Sequence, residues 1–392
     1  MDGSSGGAAR RSETELLAIL RSAAPRATAP LPLAGTGRRR APAGQRRRRS
    51  AFATALLVMA AALLCAAVGG LMLGSVPIPA DTAVRILVHA ATGDWLIAPD
   101  WRAAYETIVI ETRLPRVLLA AIVGGTLAVT GMTIQAIVRN PLASPSILGI
   151  SWGAATGAVV VLRWGLLVFG AFTLNVAAFA GALVTLVAVF AIARSGGQMT
   201  PTRLILAGVA MAAILNAVTA LLVLTSPDPQ LASRVLFWTL GSFGNAQWRL
   251  LPIPAAALTL GLGAMLLQAR RLNLLMAGEE SAVALGLDVQ RFRQGMFVLT
   301  AALIGVVVSA AGVIAFVGLI VPHIVRFIVG ADHRRALPAA AVGGAAFVIA
   351  ADLVARKIIA PLELPVGIIT ALVGGPFFVW LLRRDGRAEM RP

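Results

Sequence analysis

The chain has 392 residues, of which 58% are hydrophobic and 13% charged, with a mean hydropathy of +0.85. A soluble protein of this length needs far more surface charge, so a soluble globular fold is excluded. The formal net charge is +17, and the one cysteine, Cys65, excludes internal disulfides and thiolate metal clusters.

Residues 1–50 hold eleven arginines and three acids, a net of +8. They are also rich in Pro, Gly, Ala and Ser, a composition that predicts a disordered basic extension. Ser12 and Glu15 have the spacing of a capping box for a short helix through Leu20. The run Arg46-Arg47-Arg48-Arg49 directly precedes the first apolar run. There it holds the N-terminus in the cytoplasm and suits contact with anionic lipid. No aromatic or folded module accompanies these arginines, which argues against nucleic-acid binding. The apolar run from Ala51 starts too late for a signal peptide.

We place ten spans, at roughly 51–75, 114–138, 145–163, 166–193, 203–225, 248–269, 290–311, 313–329, 336–356 and 364–382, from apolar runs long enough to cross a hydrocarbon core. Residues 76–112 form a loop with an amphipathic helix near Asp81–Ala91. In the loop at 226–247, Val235-Leu236-Phe237-Trp238 suits a short re-entrant or interfacial helix. The fold class is therefore all-α, a polytopic membrane protein with about ten transmembrane helices. Residues 51–384 form the transmembrane domain, and 385–392 a cytoplasmic tail.

Loop charge sets the orientation. With the N-terminus inside, the cytoplasmic loops carry Arg139, Arg194, Arg203, Arg270, Arg271, Arg291, Arg293, Arg334 and Arg335. The opposite side holds Asp81, Asp94, Asp100, Glu106, Glu111, Asp228 and Glu363. Both termini then lie in the cytoplasm. Arg113, Arg116, Arg356 and Lys357 break the rule on the outer side. Gly149, Gly153 and Gly157 recur every four residues, which predicts close helix packing.

Leu272–Asp288 is a compact segment between two long apolar runs. Gly278 can start a helix whose positive end suits Glu279 and Glu280, and Gly286 can end it in a left-handed turn. A short helix pair at a membrane surface has no work inside the bilayer, so a cytoplasmic partner is expected to touch it.

Lys357 is the only lysine and precedes Ile358, so the chain has no phosphate-binding loop ending in Gly-Lys-Ser/Thr. His89, His323 and His333 are too scattered for a metal site, and no catalytic grouping stands out. Ionisable residues are nearly lacking inside the spans, which argues against a proton or sodium relay. Asp352 and Arg356 are spaced for a structural i,i+4 pair.

Three separated stretches, in order, resemble the FecCD-type permeases, the membrane subunits of ABC importers for iron-siderophores, haem and cobalamin. The first runs from Arg113-Leu114-Pro115-Arg116 through Gly131, Gln135 and Arg139-Asn140-Pro141-Leu142-Ala143 to Leu148-Gly149. The second is Gly278-Glu279 with Ala284-Leu285-Gly286. The third holds Gly312 to Gly318, Pro322-His323-Ile324-Val325-Arg326, Ala351-Asp352 to Arg356, Glu363 to Gly367 and Gly374-Gly375-Pro376. The resemblance covers about 51–384, nearly all but the N-terminal extension.

The resemblance implies a type II ABC importer permease, not itself an enzyme, working as a homodimer or heterodimer with the substrate path on the two-fold axis. It implies two cytoplasmic ATPase subunits, which bind the ATP and magnesium, and an extracytoplasmic binding protein. The permease itself would carry no cofactor or metal and sit in the bacterial inner membrane. Residues 272–287 resemble the coupling helices, with Leu274, Gly278, Glu279, Glu280, Ala284, Leu285 and Gly286 as contact residues. Arg113, Arg116 and Arg356 match arginines that face acids on the binding protein, or else they anchor helix ends. The cytoplasmic gate would lie at Thr200-Pro201-Thr202-Arg203. Pro201 replaces the family's usual hydroxyl, which moves the expectation to Thr202 beside Thr200. Gln135, Asn140 and Asn216 could line the path, though interhelical hydrogen bonding suits them equally.

Family frequency favours a ferric siderophore as cargo, with haem or cobalamin as alternatives. Two readings from other classes are a secondary transporter or channel, and a non-transporting scaffold. The scarcity of intramembrane ionisable groups weighs against the first.

Overall fold

A computed structural model describes residues 43–74, 76–194 and 199–389, without the side chains of 43–51, 147 and 384–389. The Ser12–Glu15 box and most of the basic extension lie outside the described residues, as does the end of the tail. The helix that carries the first span begins at Ala43, inside the stretch expected to be disordered. Arginine is a good helix former, and the apolar run behind it extends the same helix.

The described residues form helices and no strand. Each of the ten expected spans is a helix. They are α1 (Phe52–Met72), α3 (Ala103–Val138), α4 (Ile150–Trp164), α5 (Thr173–Arg194), α6 (Pro201–Leu224), α8 (Pro252–Leu267), α11 (Val289–Ala311), α12 (Val317–Val329), α13 (His333–Lys357) and α14 (Val366–Glu389). The loops at 76–112 and 226–247 hold α2 (Ala80–Thr92) and α7 (Leu231–Thr239) near their expected places. Two short helices, α9 (Ala269–Ala277) and α10 (Glu279–Ala284), join α8 to α11.

Eight of the described helices are long and apolar enough to cross a membrane. The exceptions are α4, of 15 residues, and α12, of 13. At about 1.5 Å per residue these fall short of a core about 30 Å thick. Each starts from a left-handed residue, Gly149 at φ 73° and Phe316 at φ 66°. Ten helices thus stand where ten spans were expected, eight of them long enough to cross by length alone and two of them shorter.

The helix at 114–138 begins earlier than expected. Continuous helix runs from Ala103, through a π-helical stretch at Ile108–Arg113. Pro115 has no N–H to give the preceding turn. The Leu114 N–H reaches back to the Val109 carbonyl, and the helix continues through a wider turn instead of ending.

Helix α3 is the hub, with 83% of its apolar window buried. Small residues let its neighbours touch backbone to backbone. A methyl group at Gly124 would lie 2.2 Å from the Gly344 carbonyl oxygen on α13. One at Gly131 would lie 2.0 Å from the Gly318 carbonyl oxygen on α12. Gly153 and Gly157 bring α4 equally close to α5, at the Gly181 and Ala177 carbonyls. By contrast α6 buries only 22% of its window, and α1 only 11%.

Candidate coupling surface and translocation path

Helix α9 turns Leu272 and Leu275 inward, and Leu274 is half-buried. Gly278, at φ 133°, breaks the chain direction before α10. Glu279 and Glu280 then occupy the first turn of α10. In α10 only Ala282 is buried, while Glu280, Ala284, Leu285 and Gly286 are exposed. Leu285 is 68% exposed and Val283 58%, which leaves an apolar surface uncovered within this chain. Gly286, at φ 82°, closes the helix with its N–H on the Val283 carbonyl, and the Leu287 N–H reaches the Ala282 carbonyl. That paired closure is a Schellman motif. An open groove of about 580 Å³ lies between this pair and the start of α11, lined among others by Leu274, Leu287, Arg291 and Phe292.

The pair is tied down at two points. Asn273 Nδ2 donates to Asp332 Oδ1 at 2.8 Å, and the His333 N–H donates to Asn273 Oδ1 at 3.0 Å. Asp332 also caps α13 through the Arg334 N–H at 3.1 Å. Partial burial works against its carboxylate. The hydrogen bonds from Asn273 and Arg334, with the charges of Arg335 and Arg334, outweigh it and hold the pKa below the ordinary 3.8.

The second point is Arg293, one turn into α11. Its side chain is 1% exposed and pairs with Glu279 at 3.0 Å, which is 40% exposed. Arg293 was expected among the loop cations that set topology, and the structure corrects this by placing it inside. The spacing of Val289, Phe292, Arg293, Met296 and Phe297 could have revealed it, because they share one helical face.

Arg113, Arg116 and Arg356, expected on the outer side, are all buried, at 5 to 6% exposure. Arg116 grips Asp352 with Nε at 3.0 Å and Nη2 at 2.9 Å, and its Nη1 donates to Glu363 at 2.7 Å. Arg356 Nε lies 3.1 Å from Asp352 Oδ2, the expected i,i+4 pair. Arg113 donates to the carbonyls of Leu71 at 2.6 Å, Met72 at 2.9 Å and Val76. Arg356 Nη1 donates to the carbonyls of Gly70 at 3.2 Å and Leu73 at 3.3 Å, while its Nη2 is buried without an acceptor, so in this conformation the three arginines bind helix ends together.

The expected path residues divide. Gln135 is buried between helices, donating to the Gly318 carbonyl at 3.3 Å and accepting from Arg326. Asn140 Oδ1 accepts from the Leu142 N–H at 2.8 Å, shaping the turn after left-handed Arg139. Thr200 caps α6, its hydroxyl accepting from the Arg203 N–H at 3.3 Å. Thr202 and Asn216 differ from these in being exposed on α6. At 100° per residue they share a face with Leu206, Val209, Ala213 and Ala220, all exposed. The two polar groups stand about 21 Å apart along that stripe.

The model of the FecCD transport family matches residues 56–384. The chain is 42% identical over 329 residues to the hemin transport system permease protein HmuU of Yersinia pestis, covering 82% of this chain and 93% of that protein. It is 44% identical over 285 residues to the cobalamin import system permease protein BtuC of Halobacterium salinarum, covering 72% and 75%. It is 39% identical to the Fe(3+) dicitrate transport system permease protein FecD of Escherichia coli, covering 82% and 96%. A solved structure assigned to a metal-chelate type ABC transporter, in an inward-facing conformation, aligns with a TM-score of 0.72 and 30% identity, covering 84% of this chain and 98% of that one.

Proposed function

The chain belongs to the FecCD transport family, and from that premise we propose how its parts serve import. It is the membrane-spanning permease subunit of an ABC importer of the metal-chelate, haem and cobalamin type. The match over most of the chain carries this reading. Work at the cytoplasmic face must come from another protein, since the one lysine is not in a phosphate-binding loop.

We assign ATP hydrolysis, with its magnesium, to two partner subunits that dock on α9 and α10. The uncovered Val283 and Leu285, the exposed Glu280 and the adjoining groove support this contact. Two permease copies would face each other across the α6 stripe, with Thr202 at the inner end and Asn216 further along. A binding protein would deliver cargo outside, with both permease termini inside. Arg113 and Arg116 could meet that protein's acids only by giving up their internal acceptors, and Arg356 is buried beside them, so helix anchoring is their first role.

For cargo we propose a ferric siderophore or a similar iron chelate, which the hemin and Fe(3+) dicitrate permeases among the relatives support. The cobalamin relative favours a second reading. Uptake of labelled ferric chelate, hemin and cobalamin by a strain lacking its own importers separates them. Cobalamin uptake alone sinks the iron reading. For the coupling surface, Gly278→Pro should abolish uptake and the ATPase stimulation by binding protein in the reconstituted complex. Normal stimulation refutes the assignment.

A further inference from the structure

Arg293 has the most enclosed charge of the cytoplasmic half, and nothing in the docking scheme uses it. It is among the largest fully buried side chains. Its three donor directions reach three separate parts of the chain. Nε donates to the Ile137 carbonyl at 3.2 Å, in the last turn of α3. Nη1 donates to the Met199 carbonyl at 3.0 Å, directly before the Thr200 cap of α6. Nη2 donates to Glu279 Oε2 at 3.0 Å, in the first turn of α10.

A buried cation is stable only when its donors are matched, and guanidinium offers a rigid planar fork where lysine offers a point charge. Met199 is held from both sides. Its N–H donates to Gln290 Oε1 at 3.2 Å, so Gln290 and Arg293, one turn apart on α11, grip the same residue by its two flanking peptides. The base of α6 is thereby fastened to α11, and Arg293 carries the fastening to α10. Glu279 is the partly exposed end of this set, at 40% exposure.

We propose that Arg293 is a positioning residue that makes α10, the end of α3 and the base of α6 move as one body. A displacement applied at Glu279 reaches Met199 and Thr200 through one side chain rather than through flexible loop. This rests on reading α9 and α10 as the ATPase contact, and it adds the route by which that contact reaches the gate. The tether belongs to the permease alone, so it can be tested without a partner.

The test uses the full chain with Cys65→Ser, since Cys65 is the sole cysteine. Spin labels go on Ser281→Cys and Thr202→Cys. The parent should give one narrow distance distribution in proteoliposomes, and Arg293→Gln a broad one. Arg293→Lys, which keeps the charge but not the fork, should fall between. In the complex with its ATPase, Arg293→Gln should still co-purify and hydrolyse ATP. Cargo moved per ATP should fall about tenfold, within the range of substitutions along coupling networks. Glu279→Gln with Arg293→Gln should lose no more than the worse single variant. An unbroadened distribution in Arg293→Gln, unchanged coupling, or additive losses overturn the tether. If the Ser281 label in the parent fails to respond to the ATPase, the docking reading fails, and the distance comparison still decides the tether.

Discussion

Helices α3 and α6 are both long, apolar and of similar mean hydropathy, yet the fold uses them in opposite ways. The first is 83% buried and the second 22%. On α3, small residues replace side-chain packing with backbone contact, and the polar residues Arg116 and Gln135 are consumed by neighbours. On α6 the branched side chains and Asn216 point away from the rest of the chain. Apolar composition therefore reports that a helix enters the membrane, not what covers it there. An uncovered polar group in such a helix is the feature that separates a wall from a core.

The sharpest break in this comparison is Arg116→Met. It takes the two-pronged partner from the buried Asp352 and leaves it Arg356 alone, and stripping one partner from a buried pair costs up to about 3–5 kcal/mol. Loss of monodisperse protein in detergent would show it, and full stability would mean the outer cluster does not lock α3 to α13. Next, Gly131→Val should cost about 1–3 kcal/mol by forcing α3 off α12. Ala213→Val on α6 should stay within about 0.5 kcal/mol. Equal shifts in thermal unfolding would erase the distinction between the two helices. Asn216→Leu should leave stability unchanged and lower uptake, whereas full uptake would remove α6 from the path.

The smallest effect lies at neither helix. Asp332 titrates below its ordinary 3.8 in the folded protein, so its contribution is complete above that value. It is lost as pH falls through the lowered folded value. Unfolding midpoints should therefore drop on acidification below about pH 4, by a margin that Asp332→Asn removes. The same midpoint shift in that variant would assign the acid sensitivity elsewhere.

Most of the fold was legible, because each span announces itself by length and apolarity. The outward extension of α3 was not, since Arg113-Leu114-Pro115 reads as a helix start and a π-helical turn leaves no mark in the sequence. The shortness of α4 and α12 was hidden by apolar residues running on past their left-handed starts. Glycines announced the α10 turns, because a positive φ selects for that residue. The fates of the arginines were not legible. Arg116 meets Asp352 across 236 positions, and only the packed helices bring them together. Arg293 read as one more cytoplasmic cation, though its place on an apolar helical face was there to be counted.

The α6 stripe has a consequence for selectivity. One hydroxyl and one amide, about 21 Å apart on a greasy strip, give a polar chelate almost nothing to adhere to. Passage needs a lining weak enough to let go, and this strip would be weak nearly everywhere. A chute of this kind does not inspect what falls through it. If α6 lines the route, the choice of cargo is made upstream by whichever protein delivers it. Exchanging that deliverer would then change the diet of the cell while leaving every residue of this chain as it is.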